Sequence, residues 1–344
     1  MSTSHPLSTS LPAASTKPTK IVVIGGGTGT SVILSALKNQ PSIALTAIVV
    51  VSDNGGSTKR LRDEFGFLPV GDLRQCLAAL ANDDETVSVR ELLLYRFSKG
   101  TGLSGHSLGN LILTALEDLE ASPGKAIETA AKIFRITGKV LPVTEEIVQL
   151  QISYQNGTKL TGEENLDDPN LGGQKISDIS LVPQANLYQP ARQALLEADQ
   201  IILGPGDLYG SLLPNLVVSG IEAVFQATKA KFTYVINLMT HYSQTHNMTA
   251  SDHVKEVIKY CGRVPDKIVI NSGEISPKIL SLYESQHEFP VQDDLAELQR
   301  TYPQIEIVRA ELASKITIPE TAGDALTRSL LRHDGEKLAE VILT

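Results

Sequence analysis

The chain has 344 residues, of which 42% are hydrophobic, and a formal net charge of −9 at pH 7. This is enough apolar sequence to bury the core of one large α/β domain. The excess of negative charge argues against a general nucleic-acid-binding protein. The two cysteines, Cys76 and Cys261, provide neither a zinc motif nor a disulfide framework.

Residues 1–19 are rich in Ser, Thr and Pro and lack a continuous apolar core. We expect them to form a disordered tail rather than a secretory signal, and residues 20–344 to form a single domain. The longest apolar stretch, 43–51, is too short to span a bilayer. These features predict a cytoplasmic protein without membrane insertion.

Short apolar segments alternate with segments of helical periodicity through most of the chain, which predicts an α/β protein. The expected architecture is a Rossmann-like, doubly wound and mostly parallel sheet with helices on both faces. The predicted strands are 20–24, 45–51, 200–203, 232–238, 267–270 and 305–308, and the predicted helices are 31–39, 72–82, 87–97, 106–119, 123–136, 189–198, 217–228, 253–260, 278–285 and 324–343.

A hairpin interrupts this alternation. Two segments of alternating polarity, 147–154 and 158–162, flank the dipeptide Asn156-Gly157, which is typical of a type I′ turn. Residues 175–182 are a further predicted strand. We therefore expect a small antiparallel excursion from the main sheet at about 145–183.

Four glycine-rich loops lie where a strand ends or a helix begins. Glycine lets the backbone approach a ligand, and a helix N-terminus attracts negative charge, so the loops predict a site for a ligand rich in phosphate oxygens. Four cations after the second loop, Lys59, Arg60, Arg62 and Arg74, support this despite the negative net charge. The loops read Gly25-Gly26-Gly27-Thr28-Gly29, Ser52-Asp53-Asn54-Gly55-Gly56-Ser57, Gly102-Leu103-Ser104-Gly105-His106-Ser107 and Gly204-Pro205-Gly206-Asp207.

The first loop matches neither standard phosphate motif. Thr30 stands where a dinucleotide fingerprint has its third glycine, and no lysine precedes Ser31 as it would in a P-loop. What remains is a glycine nest with the hydroxyls of Thr28 and Thr30, the alternative being an ordinary tight turn. The chain also lacks a nucleophile elbow, an HExxH motif and a zinc-spaced cluster. This combination indicates phosphate-directed chemistry that depends on positioning rather than on an activated nucleophile.

Five polar residues near the loops are candidates for specific contacts. Asp53 can hold a metal, a ribose hydroxyl or a loop amide, and the loop after it is expected to continue without a helix. Asp72 is expected to cap the helix that follows it. His106 is expected to face the ligand from a helix start, where the helix dipole disfavours its protonation. Asn215 and Asn237, near the fourth loop, suit ribose or sugar hydroxyls.

Several segments together resemble the CofD-like superfamily, and within it the YvcK branch, the gluconeogenesis factors. The resemblance runs from about residue 20 to the C-terminus, and its most specific part is the block 53–80. The segments are VVIGGGTGTSVILSALK, SDNGGSTKRLRDEFGFLPVGDLRQCLAAL, GLSGHSLGNLILTAL, KVLP, LGPGDLYGSLLPNLVVSGI and INLMT followed by TASDHV.

This resemblance implies a cytoplasmic, Rossmann-like bacterial protein that binds a UDP-sugar such as UDP-N-acetylglucosamine and serves cell shape and wall synthesis in gluconeogenic growth. Our leading hypothesis is a nucleotide-sugar-binding regulator without turnover. The CofD branch itself is similar to transferases that move a phospholactyl group from a nucleotide carrier with magnesium, which is the alternative function. The stretch RDEFGFLPVGD favours the YvcK branch. A nicotinamide-dependent oxidoreductase is disfavoured by the missing third glycine. A second copy of the chain and cell-wall synthesis proteins are further candidate partners, and nucleic acid is not.

The chain departs from the branch pattern at a few positions. Asn54 and Lys59 weaken a divalent-metal site and suit direct phosphate contact. Asp207 replaces a more usual serine, which removes an expected anion contact, and the segment 241–244 reads HYSQ instead of QPGE.

The resemblance also implies that a C-terminal tyrosine and arginine hold the nucleotide sugar. The matching residues are Tyr283, expected to stack on uracil, and Arg332, expected to pair with the diphosphate. The alternatives are a core tyrosine and a surface arginine. No catalytic residue, metal ligand or cofactor is assigned, and magnesium would be needed only by a transferase. The residues expected to bind ligand are Gly25, Gly26, Gly27, Thr28, Gly29, Asp53, Asn54, Gly55, Gly56, Ser57, Arg62, Asp72, Arg74, His106, Ser107, Asn110, Gly204, Pro205, Gly206, Tyr209, Asn215, Asn237, Tyr283 and Arg332.

Overall fold

A computed structural model describes residues 17–53, 56–82, 88–315 and 330–344 of the chain. Most of the predicted tail lies outside these ranges, as do Asn54 and Gly55 of the second loop and the side chain of Ser57. The strands of the described part are β1 (Thr19–Gly25), β2 (Ile43–Val49), β3 (Lys139–Pro142), β4 (Gln149–Tyr154), β5 (Lys159–Thr161), β6 (Ile176–Val182), β7 (Gln200–Leu203), β8 (Lys231–Val235), β9 (Lys267–Asn271) and β10 (Glu306–Ala310).

The helices connect these strands and cover the sheet. Within the described ranges, each of them is too short or too polar to span a bilayer. They are α1 (Gly27–Leu37), α2 (Gly56–Phe65), α3 (Gly71–Leu80), α4 (Val89–Leu94), α5 (Leu108–Glu120), α6 (Pro123–Ile133), α7 (Gln189–Glu197), α8 (Leu213–Leu216), α9 (Ile221–Ala227), α10 (Ala250–Cys261), α11 (Pro277–Glu284), α12 (Leu295–Thr301) and α13 (Gly335–Leu343).

The main sheet has seven strands in the order β10-β9-β8-β7-β1-β2-β3. All neighbouring pairs are parallel, which confirms the predicted doubly wound architecture. The centre of the sheet is apolar along its whole length, with Ile21 to Ile24 of β1 and Ile201 to Leu203 of β7 at most 2% exposed. Such continuous burial is typical of strands covered by helices on both faces.

The strand order reverses between β1 and β7. From β1 the chain passes outward to β2, whereas β7 begins the series that runs to the opposite edge. A crevice opens at the carboxyl ends of the strands at such a switch point, and ligands of doubly wound proteins bind there. The first glycine loop leaves β1 at this point and the fourth leaves β7.

A small antiparallel sheet, in the order β5-β4-β6, forms the predicted excursion. The predicted type I′ turn is wrong. The Gly157 amide donates to the Tyr154 carbonyl at 3.0 Å, and Gly157 has φ +89° while Asn156 is not in the left-handed region. A type I turn followed by one left-handed glycine fits this pattern, and a type I′ turn would need positive φ at both central residues.

Several predicted boundaries are also corrected. The loop after Asp53 was predicted to continue without a helix, but helix α2 begins at Gly56. The C-terminal helix begins only at Gly335, where the Asp334 carboxylate accepts hydrogen bonds from the first-turn amides; its predicted start at 324 lies outside the described residues. Helix α9 begins at Ile221 rather than at 217, because Gly220 with φ +93° separates it from α8.

The close approach of the first and fourth loops gives a direct test of the fold. A Cβ on Gly29 would lie 2.3 Å from the Pro205 carbonyl oxygen, and backbone cannot yield as a side chain can. We therefore expect Gly29→Ala to lower the free energy of unfolding by about 1–3 kcal/mol, although alanine favours helices. Urea denaturation measures the change. Gly102→Ala is the matched control because an added Cβ there meets nothing within 4 Å. Equal stability of the two variants would contradict this packing.

Candidate functional site

A pocket of about 330 Å³ opens at the switch point, beyond the carboxyl ends of β1, β7 and β8. We call it the switch-point pocket. It brings together the first and fourth glycine loops with the segment after β8 and with residues near the start of α13. Its lining includes Gly26, Gly27, Thr28, Gly29, Val32, Gln75, Pro205, Gly206, Asp207, Ser211, Asn237, Leu238, Met239, Thr240, His241, Tyr283, Glu288, Leu331, Arg332 and His333.

The first loop contributes the N-terminus of α1. Gly26 occupies the N-cap position, where no side chain caps the helix. A Cβ on Gly26 would lie 2.2 Å from the Asp72 carboxylate and 2.6 Å from Val50, so only glycine fits at this position. Gly27 has φ +63° and donates its amide to Asp72. The first turn of an eleven-residue helix thus borders the pocket with its positive dipole end, which favours an anion.

The fourth loop forms the adjoining wall. Its Gly204–Pro205 peptide is cis, and the Gly206 amide donates to Asn237 Oδ1 at 3.4 Å. Asn237 itself lines the pocket. The predicted pairing of these two regions at one ligand site is therefore consistent with their positions in the fold.

The C-terminal residues supply an apolar wall and a cation. Tyr283 is 7% exposed and packs with Leu238 and Leu331, and its hydroxyl accepts a hydrogen bond from the Leu331 amide at 2.9 Å. Arg332 is exposed at the pocket rim. Both residues expected from the family resemblance to hold a nucleotide sugar thus border the same cavity.

A third part of the lining consists of ionisable side chains. None of them is among the residues predicted from the sequence to bind ligand. His241 Nε2 lies 3.5 Å from Glu288 Oε1, and both side chains are mostly buried. Burial, followed by the nearby charge of Asp207, raises the pKa of Glu288 to about 7. Burial lowers the pKa of His241, and lowers that of His333 to about 4. These residues are far apart in sequence, so no local motif could have indicated them.

Acidic side chains also gather beside the first loop. Burial and the charge of Asp53 raise the pKa of Asp72 to about 7. Glu163 reaches this region from the antiparallel lobe, and burial followed by Asp53 and Asp72 raises its pKa to about 8. Asp72 lies in the first turn of α3, so it is not the N-cap predicted for it; Val70 occupies that position.

Helix α2, which follows the second loop, lies against the third loop and the start of α5. Asn110 Nδ2 donates to Thr58 Oγ1 at 3.4 Å, Arg60 donates to the Ser104 carbonyl, and Arg74 to the Leu93 carbonyl at 3.4 Å. Of the residues predicted to bind ligand in these loops, those described by the structure are absent from the pocket lining given above.

His106, Arg62 and Lys59, which the sequence suggested for ligand contacts, interact with other protein groups. His106 is 8% exposed, and burial, then Arg60, lowers its pKa. Arg62 pairs with Asp63 at 2.9 Å. Lys59, interpreted above as suited to phosphate, pairs with Glu164 at 3.1 Å.

Two further residues predicted to bind ligand, Tyr209 and Asn215, are buried among other protein groups. Tyr209 is 2% exposed and its pKa is raised by burial and then by the charge of Glu256. Asn215 is fully buried and donates to the Gly25 carbonyl at 3.4 Å and to the Ser211 carbonyl at 2.7 Å. It therefore ties the segment after the fourth loop to the end of β1, which positions both loops without lining the pocket.

A second cavity, of about 540 Å³, adjoins the first. The two share Thr28, Val32, Gln75 and Arg332. Beyond this boundary the second cavity is lined by α1, α4 and the start of α13, with Arg90 as its other cation. A ligand bound at the N-terminus of α1 would therefore have this second cavity next to it, on the other side of Thr28 and Arg332.

The raised pKa of Asp72 gives a testable dependence of stability on pH. Asp72 titrates at about 7 in the folded protein, compared with the ordinary value of 3.8. Between these values the folded chain holds a proton that the unfolded chain has lost, so this carboxyl makes the free energy of unfolding fall as pH rises. Asp72→Asn removes that dependence while retaining an acceptor for the Gly27 amide.

We therefore expect Asp72→Asn to become more stable relative to the wild type as pH rises from about 4 to 7, with no further gain above this window. Urea denaturation at pH 5 and pH 8 measures this difference. Asp118→Asn, on the exposed face of α5, is the control and should show no such trend. An equal difference at both pH values would mean that Asp72 is already ionised in the folded state at pH 5.

Comparison with known proteins identifies the family. Residues 21–313 match the sequence profile of the family described as 2-phospho-L-lactate transferase CofD. A Nostoc protein is 39% identical over 327 residues, which cover 94% of this chain and 68% of that protein. The gluconeogenesis factor of Bacillus subtilis is 37% identical over 327 residues, which cover 94% of this chain and 97% of that protein.

A crystal structure of a Bacillus halodurans protein has a TM-score of 0.85 and 34% identity, and the match covers 95% of this chain and 100% of that one. Sequence and fold thus agree over almost the whole length, and the chain belongs to the CofD family, in the branch of the gluconeogenesis factors.

Proposed function

We propose that the switch-point pocket binds a nucleotide sugar of the UDP-N-acetylglucosamine type, and that the protein acts as a ligand-binding regulator rather than by turning this ligand over. The observation that carries the proposal is the meeting of the uncapped N-terminus of α1, Tyr283 and Arg332 in one cavity at the switch point. A role in cell shape and wall synthesis during gluconeogenic growth, in the cytoplasm, is part of the same proposal.

The chemistry of the lining supports this class of ligand. A diphosphate suits the amides of the α1 N-terminus, and the Arg332 guanidinium can pair with it. The apolar wall around Tyr283 suits a planar base. Asn237 offers an amide to a hydroxyl. A nucleotide sugar is the ligand class that combines these three kinds of group in one molecule.

The description of the family as a 2-phospho-L-lactate transferase favours one alternative, transfer of a phospholactyl group. The resemblance to the CofD branch implies that this transfer would use magnesium. Magnesium takes oxygen ligands, and Asp53, Asp72 and Glu163 are carboxyl groups whose charges act on one another beside the glycine nest. In the described part of the chain, however, no set of three or more His, Cys, Asp or Glu side chains is arranged to hold a metal ion. We therefore assign no residue to magnesium and derive no step through it.

Calorimetric titration with UDP-N-acetylglucosamine, GDP and NADH, each with and without magnesium, separates the candidate functions. We expect saturable binding of the UDP-sugar and an unchanged ligand after long incubation, as followed by ³¹P NMR. Magnesium-dependent product formation would contradict a purely regulatory role. Preferential binding of NADH would indicate a nicotinamide cofactor instead.

Replacement of Arg332 tests the assignment of the pocket. We expect Arg332→Ala to weaken UDP-sugar binding by about tenfold or more, because a charge-assisted pair with a diphosphate is lost. Arg309→Ala is the matched control, since Arg309 is a partly exposed arginine that pairs with Asp293 outside the pocket. If both variants bound the UDP-sugar as tightly as the wild type, the ligand would not occupy this cavity.

A further inference from the structure

One part of the pocket lining is poorly suited to a diphosphate. Asp207, His241, Glu288 and His333 form this part, which we call the ionisable wall. Two of its four members are carboxyl groups, and the charge of Asp207 acts on both His241 and Glu288. A dianionic group placed here would meet the negative charge of Asp207 and, above about pH 7, that of Glu288, so the wall calls for a ligand group of different chemistry.

The backbone holds this wall in a defined arrangement. The segments 238–242 and 288–291 form a short antiparallel ribbon, in which the Thr240 amide donates to the Phe289 carbonyl at 2.7 Å and the Val291 amide donates to the Leu238 carbonyl at 3.1 Å. Met239 and Pro290 form an isolated bridge in it. His241 and Glu288 therefore face each other from two tied strands, which is the rigidity that a specific binding surface needs.

The wall also contains polar atoms that lack partners among the described residues. His241 Nδ1 and His333 Nε2 are buried and have no hydrogen-bond partner there. A ring N–H of His333 donates to the Ile236 carbonyl, which leaves Nε2 as an acceptor in the neutral ring. Buried polar atoms of this kind are usually satisfied in proteins, so a partner from outside the protein chain, a water molecule or a ligand hydroxyl, is expected for them.

Hydroxyl groups have the chemistry that this wall requires. A hydroxyl donates to a carboxylate or an imidazole nitrogen and accepts from a protonated carboxyl, whereas a phosphate oxygen near pH 7 only accepts. Burial lowers the pKa of His241, lowers that of His333 to about 4 and raises that of Glu288 to about 7, so the wall presents donors and acceptors together.

We propose that the ionisable wall is the sugar subsite of the switch-point pocket, where Asp207, His241, Glu288 and His333 recognise the hydroxyls of the hexose and make the protein prefer a nucleotide sugar over the bare nucleotide. This inference rests on the proposed function and adds to it the residues that select the sugar. His241 and Glu288 carry the selection, because they form a close pair on tied backbone.

Titration with UDP and with UDP-N-acetylglucosamine, side by side, tests the subsite. For the wild type we expect the UDP-sugar to bind about tenfold or more tightly than UDP. For His241→Ala and Glu288→Ala we expect this preference to fall by about tenfold while the affinity for UDP changes less than about threefold. Glu284→Ala, an exposed carboxylate at the end of α11, is the control and should keep the full preference.

His241→Gln and Glu288→Gln provide a second pair of variants that keep the side-chain volume, should the alanine variants fail to fold. These glutamine variants should also lose part of the preference for UDP-N-acetylglucosamine over UDP, because an amide replaces the ionisable group that contacts the sugar hydroxyls. A preference that is unchanged in all four variants, or an equal loss of UDP and UDP-sugar binding, would overturn the subsite while leaving the proposed function intact. A wild type that binds neither ligand would overturn both.

Discussion

The close packing of the N-terminal turn of α1 against the fourth glycine loop is the constraint on which the rest of the site depends. Gly29 lies so near the Pro205 carbonyl that no side chain fits between them. This contact brings together the loops that leave the paired strands β1 and β7, at the place where the strand order reverses. Asn215 supports it by donating to the Gly25 carbonyl from the segment after the fourth loop. Without this apposition the amides of the two loops would not border one cavity.

The electrostatics of the site follow from this packing. Buried carboxyl groups lie close to the glycine nest, and their mutual repulsion and burial raise the pKa values of Asp72 and Glu163. Near neutral pH part of the negative charge around the nest is thereby removed, which reduces the repulsion of an anionic ligand. The attraction of the ligand to the positive end of α1 and to the rim residue Arg332 is then offset less by nearby carboxylates.

Local sequence patterns predicted the strands of the main sheet except the edge strand β3, and part of the site. The apolar run before Gly25 and the glycines after it predicted β1 and the α1 turn, because burial on both faces and close backbone approach each leave a clear pattern. The Asn156-Gly157 hairpin was predicted at the right place with the wrong turn type, since the dipeptide does not determine the conformation of the residue before it. The presence of the antiparallel lobe and of the switch point could therefore be predicted, although not their detailed geometry.

The rest depends on contacts between distant segments, which one sequence does not reveal. Tyr209 and Asn215 stand in a glycine-rich context, yet the fold buries them as packing residues. Glu163, His241 and Glu288 reach the site from unrelated segments and carry no motif. The division into a tail and a single domain, and the roles of the second and third loops in ligand binding, stay predictions.

A crystal structure of the protein with UDP-N-acetylglucosamine tests the central claim most directly. The account predicts the diphosphate at the N-terminus of α1 and beside Gly206, the base near Tyr283, and the hexose at the wall formed by Asp207, His241, Glu288 and His333. A diphosphate bound instead between the second and third loops, at Arg60, Arg74 and His106, would contradict it.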